Sequence, residues 1–378
     1  MKILYTIDGR LDGRGAPRST FILAEMMART NDVYVVKPWT GENDTANIHC
    51  IQLKKFNGKF PFIFQNPIKS LLLVYEIYRA IKKLSPDIIH AEMPRSARAL
   101  GLLKKIGLIK TPIIYTEREY VTGLRKIYQW LYSILVAKPF DRIICLSNMA
   151  VPFWLKYRKG GVVVIPNPGG GEFDVYSEEA KSAAEKAIEG YDSRHLNVLF
   201  VGRFIKTKRW EMIEDIINQY SLKKSESTHF YIAMAFGKDD NEAKAMVNRL
   251  KKIRNATVYP NASVETISSL NYICDLHLIT SSIESFGRTA IEAMARKCVV
   301  YSTNAGAISE TIGSKEYILP ADTSAFLDVI ETYEDKKEQL NEVKEKMYKR
   351  YQDYYSTKAH YQATMNLYED LLQCLEKK

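Results

Sequence analysis

The sequence predicts an α/β protein of two doubly wound, Rossmann-like domains, each a parallel sheet covered by helices. Three observations predict it. Short apolar runs alternate with segments of helical length and period along most of the chain, the β-α-β-α pattern of a parallel sheet. That pattern stops at Pro166-Asn167-Pro168-Gly169-Gly170-Gly171, the strongest break in the sequence, and then begins again. The 378 residues also exceed one compact core and suit two domains of ordinary size. The domains are expected at 1–170 and 171–352, and two sheets joined by a hinge leave an interdomain cleft for a ligand.

In the first half, residues 3–7, 33–36, 48–53, 88–90, 113–116, 143–146 and 162–165 read as strands. Ligands of such sheets lie beyond the carboxyl ends of the strands, so the residues after each run are the candidates. After the first come Gly9, Gly13 and Gly15 among Arg10, Arg14 and Arg18, a loop whose backbone can approach a ligand closely. His90 and Glu92 follow the fourth run, and Glu117, Arg118 and Glu119 the fifth. His90 reads as a strand-end histidine with a structural bond. Residues 127–137 read as a buried helix. In the second half, 196–201, 230–235, 257–259, 276–279 and 299–302 read as strands, and 336–378 as a long, charged helical tail.

Composition bounds the chemistry. Hydrophobic content of 46% with 26% charged residues is that of a globular protein. Cys50, Cys145, Cys274, Cys298 and Cys374 are odd in number and lack C-x-x-C spacing, which argues for a reducing compartment and against a disulfide framework or a zinc site. The opening MKILYTIDGR meets Asp8 too soon for a signal peptide, and no apolar run approaches the roughly 18 residues of a spanning helix. A cytoplasmic protein, soluble or peripheral on the inner membrane face, is expected.

The net charge of +10 is concentrated, because residues 1–166 hold about 26 Lys and Arg against about 12 Asp and Glu. A basic face suits an anionic membrane or an acidic substrate. No nucleic-acid motif accompanies it, so a nucleic-acid partner is not expected. Residues 54–83 and 95–110 interleave lysines and arginines with aromatic and aliphatic side chains, including the cluster from Phe60 to Phe64. Interfacial surfaces use that mixture, and so do amphipathic helices that merely cover a sheet.

The stretch Ser281 to Met294, SSIESFGRTAIEAM, follows an apolar strand and opens into strong helix formers. Gly287 stands where the turn needs a residue without a Cβ, and the amides after it are the unpaired donors of a helix start, which favour phosphate. Glu284 lies in the loop and Glu292 in the helix, with seven residues between them. Glu292 sits among Ala290, Ile291, Ala293 and Met294, so if buried it needs partners. A ribose diol could supply them, or Arg288 or Arg296, four residues to either side. Upstream, Gly202 and Arg203 follow a strand directly and Lys208 comes five residues later, two cations fit to hold a diphosphate.

These residues carry a resemblance. Ser282, Glu284, Phe286-Gly287 and Glu292-Ala293-Met294-Ala295 resemble the E-x7-E signature of the retaining GT-B glycosyltransferases of family four. Gly202-Arg203-Phe204 with Lys208 is similar to that family's G-R-L…K element. The run from Tyr301 to Glu310, with Asn304 and Gly306, resembles its loop after the next strand. Gly15 to Arg18 resembles its G-G-x-x-R loop, with Arg14 in place of the first glycine. Glu92 and Arg118 stand where relatives often have histidines, and Arg209 replaces a usual glycine.

The resemblance implies the GT-B fold and a tail, 353–378, that crosses back to the first domain. It implies a nucleotide-sugar donor, UDP-sugar ahead of GDP-sugar, held mainly by the second domain. Arg203 and Lys208 would neutralise the diphosphate, the amides around Ser285, Phe286, Gly287 and Arg288 would cap it, Glu292 would hold the ribose and Glu284 the sugar hydroxyls. Gly15, Arg18 and Arg118 are the expected contributions of the first domain. No metal and no cofactor beyond the donor are expected, since no D-x-D element ends a strand. The acceptor would be a glycan or lipid-linked glycan in surface polysaccharide assembly. Two rivals stay open: a GT-B epimerase or hydrolase using Glu92, Glu117 or Glu119, and a non-catalytic basic protein that binds a membrane surface.

Overall fold

A computed structural model of the chain describes residues 1–7, 16–38, 47–54, 67–118, 121–223, 227–284 and 286–377. The chain divides into two compact units, Met1–Pro168 with Thr357–Lys378, and Gly169–Ser356. The divisions fall at Pro168 and Ser356, where 170 and 352 were expected.

In the first unit the strands are β1 (Lys2–Thr6), β2 (Asp32–Lys37), β3 (Ile48–Gln52), β4 (Ile88–Ala91), β5 (Ile113–Thr116), β6 (Arg142–Cys145) and β7 (Val162–Val164). They pair in the order β3-β2-β1-β4-β5-β6-β7, each pair parallel. A parallel sheet is covered on both faces, so its strands are apolar on both sides. Alternation then sends neighbouring residues to opposite cores. Ile3 and Tyr5 pack with Ile88, Ile114 and Ile144 under the helices Ala16–Met27 and Thr357–Glu376. Leu4 packs on the other face with Ile89, Ile113 and Ile143 under Pro67–Leu84 and Pro94–Lys105. Pro94 opens its helix, where a missing amide hydrogen costs nothing.

The tail is fixed to this sheet by Tyr368. Its hydroxyl lies 3.0 Å from that of Tyr5 and 2.6 Å from His90 Nδ1. The helical tail is made of two helices, Leu340–Tyr354 and Thr357–Glu376. One detail differs from the expectation. Residues 127–137 form a short helix, Lys126–Tyr132, that passes into a π turn, Ser133–Ala137, and the helix is not buried, because Ile127 and Trp130 face solvent.

In the second unit the strands are β8 (Leu196–Arg203), β9 (Thr228–Ala235), β10 (Ala256–Pro260), β11 (Leu276–Ile279), β12 (Val299–Thr303) and β13 (Ile318–Leu319), ordered β10-β9-β8-β11-β12-β13. β13 escapes a reading of the sequence because two residues show no period. Side chains cap the connecting helices where expected: Ser177 accepts from the Ala180 amide, Asp240 from Ala243 and Ser263 from Thr266. In both sheets the strand order reverses once, between β1 and β4 and between β8 and β11. Crevices that hold ligands form beyond the carboxyl ends at such points.

Candidate functional site

In the second unit the reversal brings the end of β8 beside the end of β11. Past β8 the chain makes a 3-10 turn, Lys206–Lys208, and then Arg209 adopts a left-handed conformation with φ 53°. The Lys208 side chain lies back over the strand end. A Cβ on Gly202 would stand 3.3 Å from Lys208 Cδ, a tight contact that a small shift of the lysine side chain would have to relieve. Lys208 Nζ donates to the Glu284 carboxylate, which also accepts from Ser281 Oγ at 2.8 Å. The two loops are tied together by Ser282 N to Thr207 O and Thr280 Oγ1 to Lys208 O, each 2.8 Å.

Glu284 is positioned from the other side by the loop after β12. Its carbonyl accepts from the Ala307 amide at 3.0 Å, and Gly306, at φ +60°, lets the backbones meet, since a Cβ there would lie 2.3 Å from Glu284 O. Gly287 is the left-handed N-cap of the helix Arg288–Met294, and a Cβ on it would stand 2.4 Å from Ile308 Cδ1. Thr311 Oγ1 donates to Phe286 O, which fixes the turn between Glu284 and that helix. Asn304 and Arg203 are exposed at the ends of β12 and β8, and Trp210 Nε1 anchors the Arg203 backbone carbonyl at 2.8 Å. Among the described residues no ion pair engages the Arg203 guanidinium.

Of the partners considered for Glu292, Arg288 is the one observed, with Nε 2.9 Å from Oε1. Arg296 is committed elsewhere: it is buried over the Tyr272 ring and donates to Val175 O at 2.7 Å. Arg288 also reaches Gly169 O at 3.3 Å. The structure thus joins Gly202, Lys208, Glu284, Phe286, Gly287 and Gly306 in one connected network, with Arg203 and Asn304 at its strand ends and the Arg288–Glu292 pair on the adjoining helix.

Sequence reasoning passed over three residues here. His277, on β11, is fully buried and donates from Nδ1 to Asn271 Oδ1 at 3.1 Å. Burial, with the Lys208 charge adding to it, pushes its pKa down to about 3, so it is neutral. Ile205 and Ile283 are exposed on the two tied loops. An isolated histidine in an apolar run and single isoleucines in loops give no signal.

Arg118 belongs to the first unit. Arg118 Nε is 2.7 Å from Glu92 Oε2, and its guanidinium also meets Asn167 Oδ1. Burial opposes ionisation of Glu92, but Arg118, with lesser help from His90, overcomes it and holds the carboxyl below its usual range. His90 is bonded at both nitrogens, to Tyr368 and, at 2.7 Å, to Thr116 Oγ1, and burial lowers its pKa to about 4. Gly15, Glu119 and Ser285 lie outside the described residues, and Arg18 falls within the helix Ala16–Met27. Among the described residues no group of three or more His, Cys, Asp or Glu side chains is placed to hold a metal ion.

The chain matches two family models in succession: Glycosyltransferase Family 4 over residues 13–168 and Glycosyl transferases group 1 over residues 182–350. The chain belongs to the family four type of GT-B glycosyltransferases. A glycosyltransferase from Rickettsia africae superposes with a TM-score of 0.78 at 20% identity, covering 98% of each chain. HepE of Anabaena in complex with UDP and glucose gives 0.75 at 16% identity over 98% of this chain and 100% of that one. Sucrose-phosphate synthase of Thermosynechococcus elongatus gives 0.77 at 15% identity over 99% and 100%. In sequence the glycosyltransferase is 26% identical over 296 residues to a 41.2 kDa protein in the cps region of Klebsiella pneumoniae, covering 74% of this chain and 76% of the relative. The two Rossmann-like domains of the GT-B fold are the two sheets described above.

Proposed function

We propose that this glycosyltransferase moves a sugar, with retention and without a metal ion, from a nucleoside diphosphate to a glycan or lipid-linked acceptor in surface polysaccharide assembly. The observation that carries it is the Lys208–Glu284 pair at the β8–β11 reversal, with exposed Arg203, in no ion pair among the described residues, at the end of β8. As the sugar leaves, its diphosphate gains negative charge, so fixed cations stabilise the transition state more than the ground state. Arg203 and Lys208 do this work, and Glu284, released from Lys208, takes up sugar hydroxyls. The start of the helix Arg288–Met294 faces the diphosphate, and Glu292 exchanges Arg288 for the ribose diol. UDP is the favoured base, in line with the UDP and UDP-glucose bound to HepE. The cps-region relative supports polysaccharide assembly. The acceptor arrives along the basic first unit, from a peripheral position on the inner membrane face.

The test is thermal stabilisation of the purified protein by UDP, GDP, ADP and CMP and their sugar conjugates, beside an Arg203→Ala/Lys208→Ala variant. A ligand that binds only the folded state raises the midpoint with its concentration. A shift with one base that the double variant loses is the expected result. No shift with any nucleotide overturns the reading, and release of free sugar without acceptor redirects it to a hydrolase.

A further inference from the structure

We propose that the helical layer on one face of the first unit's sheet docks onto an anionic phospholipid surface, with Ile68, Leu71 and Tyr75 entering the headgroup region. The inference deepens the transferase reading, on which it rests for its purpose but not for its geometry. The helix Pro67–Leu84 has two stripes. Leu73, Ile77, Ala80 and Ile81 face the sheet and are buried. On the other side Ile68, Leu71 and Tyr75 are exposed by 71%, 64% and 49%. With Arg79 and Lys82, also exposed, they fall within roughly 80° of helical arc. The outward stripe is therefore apolar in its first half and cationic in its second, with the Arg79 guanidinium 5.7 Å over the Tyr75 ring where the two halves meet.

The neighbouring elements continue the pattern. The helix Pro94–Lys105 packs beside the first and ends in exposed Lys105, Ile106, Leu108 and Lys110. The π turn Ser133–Ala137 packs against it so closely that a Cβ on Gly101 would stand 1.5 Å from Leu135 O. That contact brings the preceding short helix, with Lys126 and Trp130 exposed, into the same layer. Exposed apolar patches of this kind mark interaction surfaces.

Charge chooses the occupant. Residues 67–130 contain 12 Lys and Arg against 5 Asp and Glu. Basic side chains around shallow apolar anchors are the chemistry of binding to anionic lipid headgroups, where each half of the mixture is insufficient alone. Among the described residues no helix is long and apolar enough to cross a membrane, so the contact is peripheral.

The full chain is floated with vesicles of phosphatidylcholine alone and of a roughly 3:1 mixture with phosphatidylglycerol. Binding to the anionic vesicles only, weakened by added salt, is expected. Leu71→Ser/Tyr75→Ser and Lys82→Glu/Lys83→Glu should each reduce the bound fraction about tenfold with an unchanged thermal midpoint. The proposal is overturned if the wild type does not float, if both variants float like it, or if the patch instead mediates a dimer that the serine variant dissolves. Nucleotide stabilisation, measured on the same samples, tests the transferase reading separately, since neither variant touches the second unit.

Discussion

The Glu92 carboxylate and the Arg118 guanidinium form a buried ion pair, 2.7 Å from Oε2 to Nε, across the carboxyl ends of the neighbouring strands β4 and β5. These are the two positions at which the family resemblance leads to an expectation of histidines. In this chain a matched acid and base stand there in contact.

The pair predicts compensation. Arg118→His leaves a buried carboxylate without its cation and should cost about 3 to 5 kcal/mol, the usual effect of removing one member of a buried pair. Adding Glu92→His removes the orphaned charge and should recover most of it. Chemical denaturation of the two single variants and the double variant checks this. Additive losses would show that the pair is not coupled.

Buried histidines predict the acid side of the stability profile. His90 and His360 are lowered to about 4 and His277 to about 3, in each case first by burial, with the positive charge of Lys208 adding at His277 and that of Arg118 at the other two. At His90 the Glu92 charge opposes the shift. A histidine whose native pKa lies below its unfolded value stays neutral in the fold while the unfolded chain takes the proton. Its contribution is therefore full above about pH 6.5 and falls towards the native pKa, by about 1.4 kcal/mol per pH unit for each histidine. Glu92, also lowered, acts in the same direction below its own unfolded value. The thermal midpoint should drop steeply between pH 6.5 and 4, and His90→Gln should flatten the slope. A midpoint level across that range would contradict the neutral assignment.

Gly306 and Gly190 separate contact from conformation. Both have positive φ, +60° and +74°, but a Cβ on Gly190 meets open space whereas one on Gly306 meets the Glu284 carbonyl at 2.3 Å. Gly190→Ala should cost about 1 kcal/mol, for backbone strain alone. Gly306→Ala should cost roughly 2 to 3 kcal/mol and also abolish nucleotide-induced stabilisation, because the carbonyl it displaces belongs to the residue paired with Lys208. Equal effects in melting experiments would remove the contact argument.

Much of this was legible in the sequence because parallel strands, buried on both faces, write themselves as continuous apolar runs. The segments at β1 to β12 were readable for that reason, and so was the grouping of Gly202, Lys208, Glu284 and Gly287 at strand ends. What the sequence withheld was partnership. Nothing in a one-dimensional pattern says that Glu292 meets Arg288 and not Arg296, or that Glu92 meets Arg118, because these choices depend on which side chains are already committed to Tyr272, Val175 or Asn167. The buried state of His277 was equally silent, and so was the left-handed backbone at Arg209.

That backbone gives a fourth prediction. Arg209 adopts φ 53°, a region that costs a residue with a Cβ about 1 to 2 kcal/mol. Among the described residues its guanidinium makes a long hydrogen bond to Thr280 O, 3.3 Å. Arg209→Gly should therefore leave stability unchanged or raise it by up to about 1 kcal/mol, after the entropy that glycine adds to the unfolded chain. A clear loss in the melting temperature would mean that the guanidinium contact outweighs the strain.

The last prediction sets affinity against turnover at Glu284. In this structure the carboxylate neutralises Lys208, so a diphosphate must compete with it for the ammonium group. Glu284→Gln removes the competing charge and keeps the shape, and should tighten nucleoside diphosphate binding, by about tenfold if the exchange releases near 1.4 kcal/mol. Under the proposed function the same substitution also weakens the hold on the sugar hydroxyls, so transfer from the intact donor should fall even as the product binds better. Calorimetric titration with UDP beside an initial-rate assay reads both. Lys208→Ala should do the opposite to affinity and also lower the rate, since in the proposed function it removes a cation that the leaving diphosphate needs. If Glu284→Gln weakens UDP as Lys208→Ala does, the carboxylate supports the lysine and does not compete for it.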